Sequence, residues 1–404
     1  MGSTDTALIR SYRRAYEKRV KKLGVDTASF GAGFGLPEAD FTNREAVAFE
    51  QKEGKLKLQI KGSDTTNALD RFNVWINEVP LFGVKGISVR GKNVNNIDTV
   101  ITVALSAGTN VIETSITNVN GTESYRMPLT VSYSPSQPYK ERLHFIGIGI
   151  DQFKDSIQNL SWSVKDIRDL ALKIKEKHND VIIDTLFNGG VTNESVKNLK
   201  ARLLNTTEND KVIVSYSGHG LLSKTYDYYL STYDVNFNKP EEGGLAYEEL
   251  EGLLDGIPAR KKLMLIDACH SGELDKEEIL KIEAQDSIRT KEGLITTKSN
   301  IKNVQKKVGM KNSFELMQQL FVNVGRSTGA TIISAAGGTQ FAQERGDLKN
   351  GVFTYSILEF MKNNTSATVS QMRAYVNKRV PELTKGLQVP TTRTETVALD
   401  WTFW

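Results

Sequence analysis

Apolar and polar residues alternate strictly along Lys55-Leu56-Lys57-Leu58-Gln59-Ile60-Lys61. A period of two is that of a strand with one buried face. Short β-rich runs follow at 72–76, 100–105, 110–116 and 129–133, and Asn120-Gly121 offers a tight turn between two of them. Strands at this spacing predict a small Ig-like β-sandwich over residues 51–136. Ahead of it, Leu8, Ile9, Tyr12, Tyr16, Val20 and Leu23 recur at helical spacing among Arg13, Arg14, Lys18, Arg19, Lys21 and Lys22. Residues 1–50 therefore read as a basic amphipathic helix and a Gly-rich linker. The helix either packs on its own unit or docks on a membrane surface or partner, and the pattern leaves both open. Ser134-Pro135-Ser136-Gln137-Pro138 reads as a linker out of the sandwich.

Beyond that linker the period changes. Residues 143–150 form an apolar run, and Val164, Ile167, Leu170, Ala171 and Ile174 then line one face of a helix. Strand patterns return at 181–187, 211–216 and 262–266, with Thr192 placed to cap a helix carrying Val196, Leu199, Leu203 and Leu204. Further on, 314–324, 352–361 and 369–380 read as helices. Residues 330–335 read as a strand, Gly337-Gly338 as a turn and 396–399 as a last strand. Alternating strands and helices predict an α/β unit over 140–404, a mostly parallel sheet with helices on both faces. Sites in such sheets form at the carboxyl ends of the strands. Two Gly- and Ser-containing exits lie at such ends: Ser217-Gly218-His219-Gly220 and Asp267-Ala268-Cys269-His270-Ser271-Gly272.

Composition narrows the chemistry. A chain of 404 residues suits two domains, and a net charge of +4 over that length gives no argument for nucleic acid. No apolar run approaches the roughly 18 residues of a membrane span, and the N-terminus lacks the apolar core of a signal peptide. The single cysteine forbids an internal disulfide and any multi-thiolate zinc site, and a reducing cytoplasm is the simplest compartment. With four histidines, His144, His178, His219 and His270, the search for a Cys/His pair is short.

Cys269 is the only possible thiol nucleophile, and His219 stands fifty residues before it at a neighbouring strand end. A thiol peptidase needs a base to make the thiolate, an acid for the leaving amine, and donors for the oxyanion. The N–H groups of Gly220 and Cys269 are candidates for the last task. A helix starting after Gly272 would lower the thiol pKa. Taken singly, such a Cys reads as inert core and such a His as a structural residue; the pairing points to catalysis. His270 adjoins Cys269 too closely to be its base, and no role is argued for His144 or His178.

Tyr216-Ser217-Gly218-His219-Gly220 and the Asp267 to Gly272 motif together resemble the caspase/metacaspase superfamily. The likeness runs from Leu143 to the C-terminus in two blocks. The first (140–275) is similar to the large subunit. The second (313–404), with its Ile333-Ser334-Ala335-Ala336-Gly337-Gly338 and Asn350-Gly351-Val352-Phe353 motifs, is similar to the small subunit of bacterial members. The resemblance implies a cysteine endopeptidase with His219 and Cys269 as its dyad, Gly220 and Cys269 as oxyanion donors, and Ser334 beside the substrate cleft. True caspases carry Gln two residues before the Cys; this chain has Asp267 there, as metacaspases do. That implies protein or peptide substrates with Arg or Lys before the cut, read by Asp267, Asp166 and Ser217. On the residues alone Asp267 also reads as a structural cap, and Asp166 as a solvated helix charge.

Residues 276–312 separate the blocks, and 289–311 hold seven basic residues against one acidic. That stretch is either a solvated loop or, by the family resemblance, a segment the enzyme cuts in itself. The sequence requires no cofactor. Metacaspases often need calcium, but Asp234, Glu241 and Glu242 match no calcium-loop signature. The β-rich part, with Phe72 to Pro80 and Leu105-Ser106-Ala107-Gly108, resembles a module joining caspase domains to WD-repeat propellers in bacterial proteins. No propeller repeat occurs here, so a longer sensor-effector protein is expected. The alternative to an active peptidase is a silent or latent caspase-like signalling or assembly module, switched on by a partner or ligand.

Overall fold

The computed structural model describes residues 13, 17, 35–137, 139–223, 227–268, 328–336, 342–396 and 399–404, and the backbone of 295–297. The first unit is all-β: β1 (Glu38–Phe41), β2 (Glu50–Gln51), β3 (Lys55–Ser63), β4 (Leu69–Ile76), β5 (Val79–Pro80), β6 (Ile87–Ser88), β7 (Asn96–Ala104), β8 (Gly108–Asn118) and β9 (Leu129–Tyr133). One sheet has the order β1-β3-β7 and the other β2-β9-β8-β4-β5, with β6 on β4. The alternation at 55–61 does what its period demands. Leu56, Leu58 and Ile60 turn inward while Lys55, Lys57 and Lys61 face water. Opposite them Val74, Ile76, Ile112, Ile116 and Val131 close one core. Each such fully buried aliphatic side chain contributes about 2 kcal/mol. The sheets begin earlier than residue 51, since β1 pairs antiparallel with β3. The expected helix at 8–23 lies outside the described residues, apart from helical Arg13 and Glu17, which form an exposed ion pair.

The second unit is α/β. In chain order it comprises β10 (Leu143–Gly149), α1 (Ser163–Lys177), β11 (Val181–Phe187), α2 (Asn193–Asn198), α3 (Lys200–Leu203), β12 (Lys211–Ser217), β13 (Gly220–Leu222), β14 (Tyr228–Leu230), β15 (Leu245–Ala246), α4 (Tyr247–Glu251) and β16 (Lys261–Asp267). Then come β17 (Ile295–Thr297), β18 (Thr331–Ser334), β19 (Gln343–Arg345), β20 (Asn350–Gly351), α5 (Val352–Asn363), α6 (Val369–Thr384) and β21 (Thr391–Thr394). The main sheet runs β11-β10-β12-β16-β18-β21, parallel except for the last strand. Its central strands β10, β12 and β16 are mainly apolar because both of their faces are covered. Phe145, Ile213, Leu263 and Leu265 point to α1, α5 and α6. Ile146, Val212, Val214 and Met264 point to α2, α3 and α4.

Two details depart from expectation. Among the described residues the last strand is Thr391–Thr394; of the expected 396–399, Thr396 and Leu399 are not in a strand and 397–398 lie outside the described residues. It is a polar edge strand held by backbone pairing to β18 and by half-buried Arg393, which bonds Glu251 and Glu395, so no apolar run announces it. The basic stretch 289–311 carries β17, which pairs antiparallel with β19. The expected helix at 314–324 and the Gly337-Gly338 turn lie outside the described residues.

The sandwich meets the amino-terminal edge of the main sheet. Arg260, 3% exposed, donates to Ala104 O, to Ser106 Oγ and, at 3.4 Å, to Asn110 Oδ1. Val84 N–H donates to Asp255 Oδ1 at 2.8 Å. The opposite, carboxyl edge is where the candidate residues gather.

Candidate active site

Parallel register sets the geometry. Gly149 lies beside Ser217, Ser217 beside Asp267, and Ile266 beside Ser334, so four strands end in one row. Gly218 N–H donates to the Asp267 carbonyl at 3.3 Å, which carries the β12–β16 contact one residue past the strand. Two glycines of β10 let α1 approach this edge. A Cβ at position 147 would lie 2.4 Å from Ile167 Cγ2, and one at 149 would lie 2.9 Å from the Ser163 carbonyl.

His219 follows two residues after Ser217 and is 2% exposed. Its backbone N–H donates to Ser231 Oγ at 3.1 Å. Its carbonyl accepts from Ser231 N–H at 2.9 Å and from the Tyr216 hydroxyl at 3.2 Å. Gly218 is required by close approach, because a Cβ there would lie 2.5 Å from Tyr216 Oη and 2.6 Å from Ile150 Cγ2. The imidazole sits among Phe153 and Phe237, with ring centroids at 5.2 and 5.4 Å. Nε2 lies 2.7 Å from the carbonyl oxygen of Gln158. A carbonyl only accepts, so Nε2 carries the hydrogen and the neutral ring has its lone pair on Nδ1.

Gly220 starts β13 opposite Leu230. Backbone bonds run from Ser231 to His219 and from Ser223 to Asp227 on either side of this pair. By the alternation of antiparallel ladders, Gly220 N–H is then directed away from β14. Cys269 and His270 lie outside the described residues; along the chain Cys269 stands as far past Asp267 as His219 stands past Ser217.

The structure brings Asp166, Ser217 and Asp267 together. Asp166, expected as either a solvated helix charge or a pocket carboxylate, is fully buried, which removes the first reading. Its Oδ2 accepts from Ser217 Oγ at 2.9 Å. Its Oδ1 accepts from Gly351 N–H at 2.9 Å and Asn350 Nδ2 at 3.0 Å. Asp267 is 2% exposed, and its Oδ2 accepts from the Thr354 hydroxyl at 2.6 Å and N–H at 3.2 Å. Both carboxylates therefore meet the first turn of α5. Ser334 is buried at the end of β18.

Several residues here carried no readable signal. Gln158 acts through its carbonyl, which any residue supplies. Phe153 and Phe237 meet His219 from loops. Glu344 is fully buried and accepts from Ser161 N–H at 2.9 Å, Trp162 N–H at 3.1 Å and Ser163 Oγ at 3.3 Å, so it caps α1 from some 180 residues away. Asn350 stood in a quoted motif without a role. Among the described residues, no group of three or more His, Cys, Asp or Glu side chains could hold a metal ion. Glu242 is engaged by Lys239 and Asn236, which pull its carboxyl below the usual range. No described helix is long and apolar enough to cross a membrane.

Compared with known proteins, residues 146–400 match the caspase domain family. No curated protein matches the chain. Among solved structures, the crystal structure of protein GSU0716 from Geobacter sulfurreducens is similar at 18% identity with a TM-score of 0.45, over 63% of this chain and 93% of that one.

Proposed function

This chain belongs to the caspase-domain family, and on that premise we propose that it is a cysteine endopeptidase using Cys269 and His219 to cut after Arg or Lys. The observation that carries this reading is the imidazole of His219, fixed through Nε2 on the Gln158 carbonyl so that Nδ1 is the basic nitrogen. In the proposed sequence Nδ1 takes the thiol proton of Cys269, and the thiolate attacks the substrate carbonyl carbon. The oxyanion is met by the N–H groups of Gly220 and Cys269. Collapse of the tetrahedral intermediate breaks the C–N bond, and the imidazolium returns its proton to the leaving amine. Water, deprotonated by His219, then hydrolyses the thioester and frees the thiol.

Asp267 and Asp166 are the residues we assign to a basic substrate side chain. Ser217 joins them through its bond to Asp166, and Ser334 flanks them at the next strand end. The basic stretch 289–311 is the proposed site of self-cleavage, between a 140–275 block and a 313–404 block. The sandwich is proposed to link this peptidase to a sensor. One observation favours a latent form: both carboxylates are buried, so a substrate has to open the way to them.

The test is a panel of fluorogenic peptides assayed with and without calcium. Hydrolysis after Arg or Lys, lost in Cys269→Ala, is expected; cleavage after Asp alone sinks the specificity. Sequencing of new N-termini is expected to find cuts after basic residues within 289–311. Failure of a peptidyl-Arg electrophile to label Cys269 in either condition favours the latent reading.

A further inference from the structure

Asp166 and Asp267 come from elements far apart in the chain, α1 and the end of β16, yet both terminate on one short segment. That segment is the entry to α5. Its N-cap is Gly351, which has no side chain to cap with. The helix borrows its caps instead: Asp166 takes the Gly351 N–H, and Asp267 takes the Thr354 N–H. Two side chains reinforce these bonds, Asn350 Nδ2 on Asp166 and Thr354 Oγ1 on Asp267. The amide of Asn350 is itself oriented, since Nδ2 also donates to Asp169 at 3.2 Å and Oδ1 accepts from Lys165 Nζ at 3.4 Å. The first turn of α5 therefore fixes the plane of both carboxylates, and its dipole favours their negative charge.

We infer that Asn350 and Thr354 are positioning residues for substrate specificity. They hold Asp166 and Asp267 in the orientation that accepts a guanidinium. The inference rests on the proposed reading of these carboxylates as the basic-residue pocket. An aspartate carboxylate turns about two torsions, and a donor on one oxygen removes that freedom. Bidentate pairing with a planar guanidinium depends on the carboxylate plane, whereas an ammonium is a point charge and tolerates rotation. Loss of the Thr354 hydroxyl is therefore felt more by Arg substrates than by Lys substrates, a difference that general damage to the fold would not produce.

The experiment uses the full chain and three peptides that differ only in Arg, Lys or Leu before the cut. It compares Thr354→Val, which deletes the hydroxyl at nearly constant volume, Thr354→Ser, which keeps it, and Asn350→Ala. Agmatine serves as a competitive guanidinium probe. Thr354→Val is expected to raise KM for the Arg peptide about tenfold, equal to about 1.4 kcal/mol. KM for the Lys peptide rises less, kcat changes less than KM, and agmatine inhibition weakens in step. Thr354→Ser retains the wild-type Arg-to-Lys ratio, and Asn350→Ala loses it through Asp166. Should Thr354→Val fail to fold, Asn350→Ala and agmatine decide the matter. Unchanged Arg-to-Lys ratio and agmatine inhibition in the folded variants overturn the inference, as does equal damage from Thr354→Ser. A wild-type chain that cuts the Leu peptide as well as the basic ones overturns the pocket reading and the inference with it.

Discussion

Lys262 is the perturbation with the clearest pH signature. It sits near the start of β16, 1% exposed, and its Nζ donates to the carbonyls of Leu254 at 3.0 Å and Thr328 at 2.9 Å. It thereby ties the first block of the α/β unit to the start of the second. Burial pushes its pKa from 10.5 down to about 7. In the unfolded chain the amine stays protonated up to its ordinary pKa, so between about pH 7 and 10.5 folding releases a proton. Stability from this group is therefore present above the unfolded value and lost as pH falls toward 7. Each pH unit is worth about 1.4 kcal/mol, so the full window amounts to on the order of 5 kcal/mol. Lys262→Met removes the titration and keeps much of the volume. Urea unfolding at pH 7, 8 and 9, followed by the fluorescence of core residues Trp401 and Trp404, gives the stability gap between variant and wild type. The gap is expected to move in favour of the wild type by about 1–3 kcal/mol from pH 7 to 9. Other groups titrate alike in both proteins and cancel. A gap that stays constant across these pH values refutes the neutral buried lysine.

Three further outcomes follow from the geometry. Gly218→Ala places a Cβ 2.5 Å from Tyr216 Oη; displacing the His219 strand exit is expected to cost about 1–3 kcal/mol in thermal unfolding and to cut kcat for peptide hydrolysis steeply, and wild-type turnover would refute the required close approach. Glu344→Gln turns an NH2 donor toward one of the two N–H groups, Ser161 or Trp162, that separate carboxylate oxygens accept; a loss of about 1–3 kcal/mol is expected in denaturant titration, and an unchanged midpoint argues against Glu344 as the cap of α1. Arg260→Met leaves Ala104 O and Asn110 Oδ1 without its guanidinium; faster amide exchange at 104–110 with unchanged protection in β12 is expected, and unchanged exchange at 104–110 contradicts its role in joining the two units.

Much of the architecture was legible because burial imposes a period. Lys55-Leu56-Lys57-Leu58 alternates since one face of β3 meets water, and β10 and β12 are apolar runs since neither face does. Thr192 announced α2, and a capping box with Ser195 is what forms there. The strand at 391–394 had no such signal, because an edge strand held by an ion pair has no hydrophobic period. Asp166 left two readings open for a related reason. Its helix position fits a solvated face equally well until Ser217, Asn350 and Gly351 are known to close over it.

The sequence by itself determined the two-unit layout, the parallel sheet and the residues that end its central strands, because hydrophobic periodicity and strand-exit motifs are local properties of the chain. Only the tertiary structure decided that the His219 imidazole rests on the Gln158 carbonyl, that Glu344 caps α1, and that Asp166 and Asp267 share the first turn of α5. These contacts join positions from about sixty to more than 180 residues apart, often through backbone groups that every residue type carries, so no local pattern encodes them.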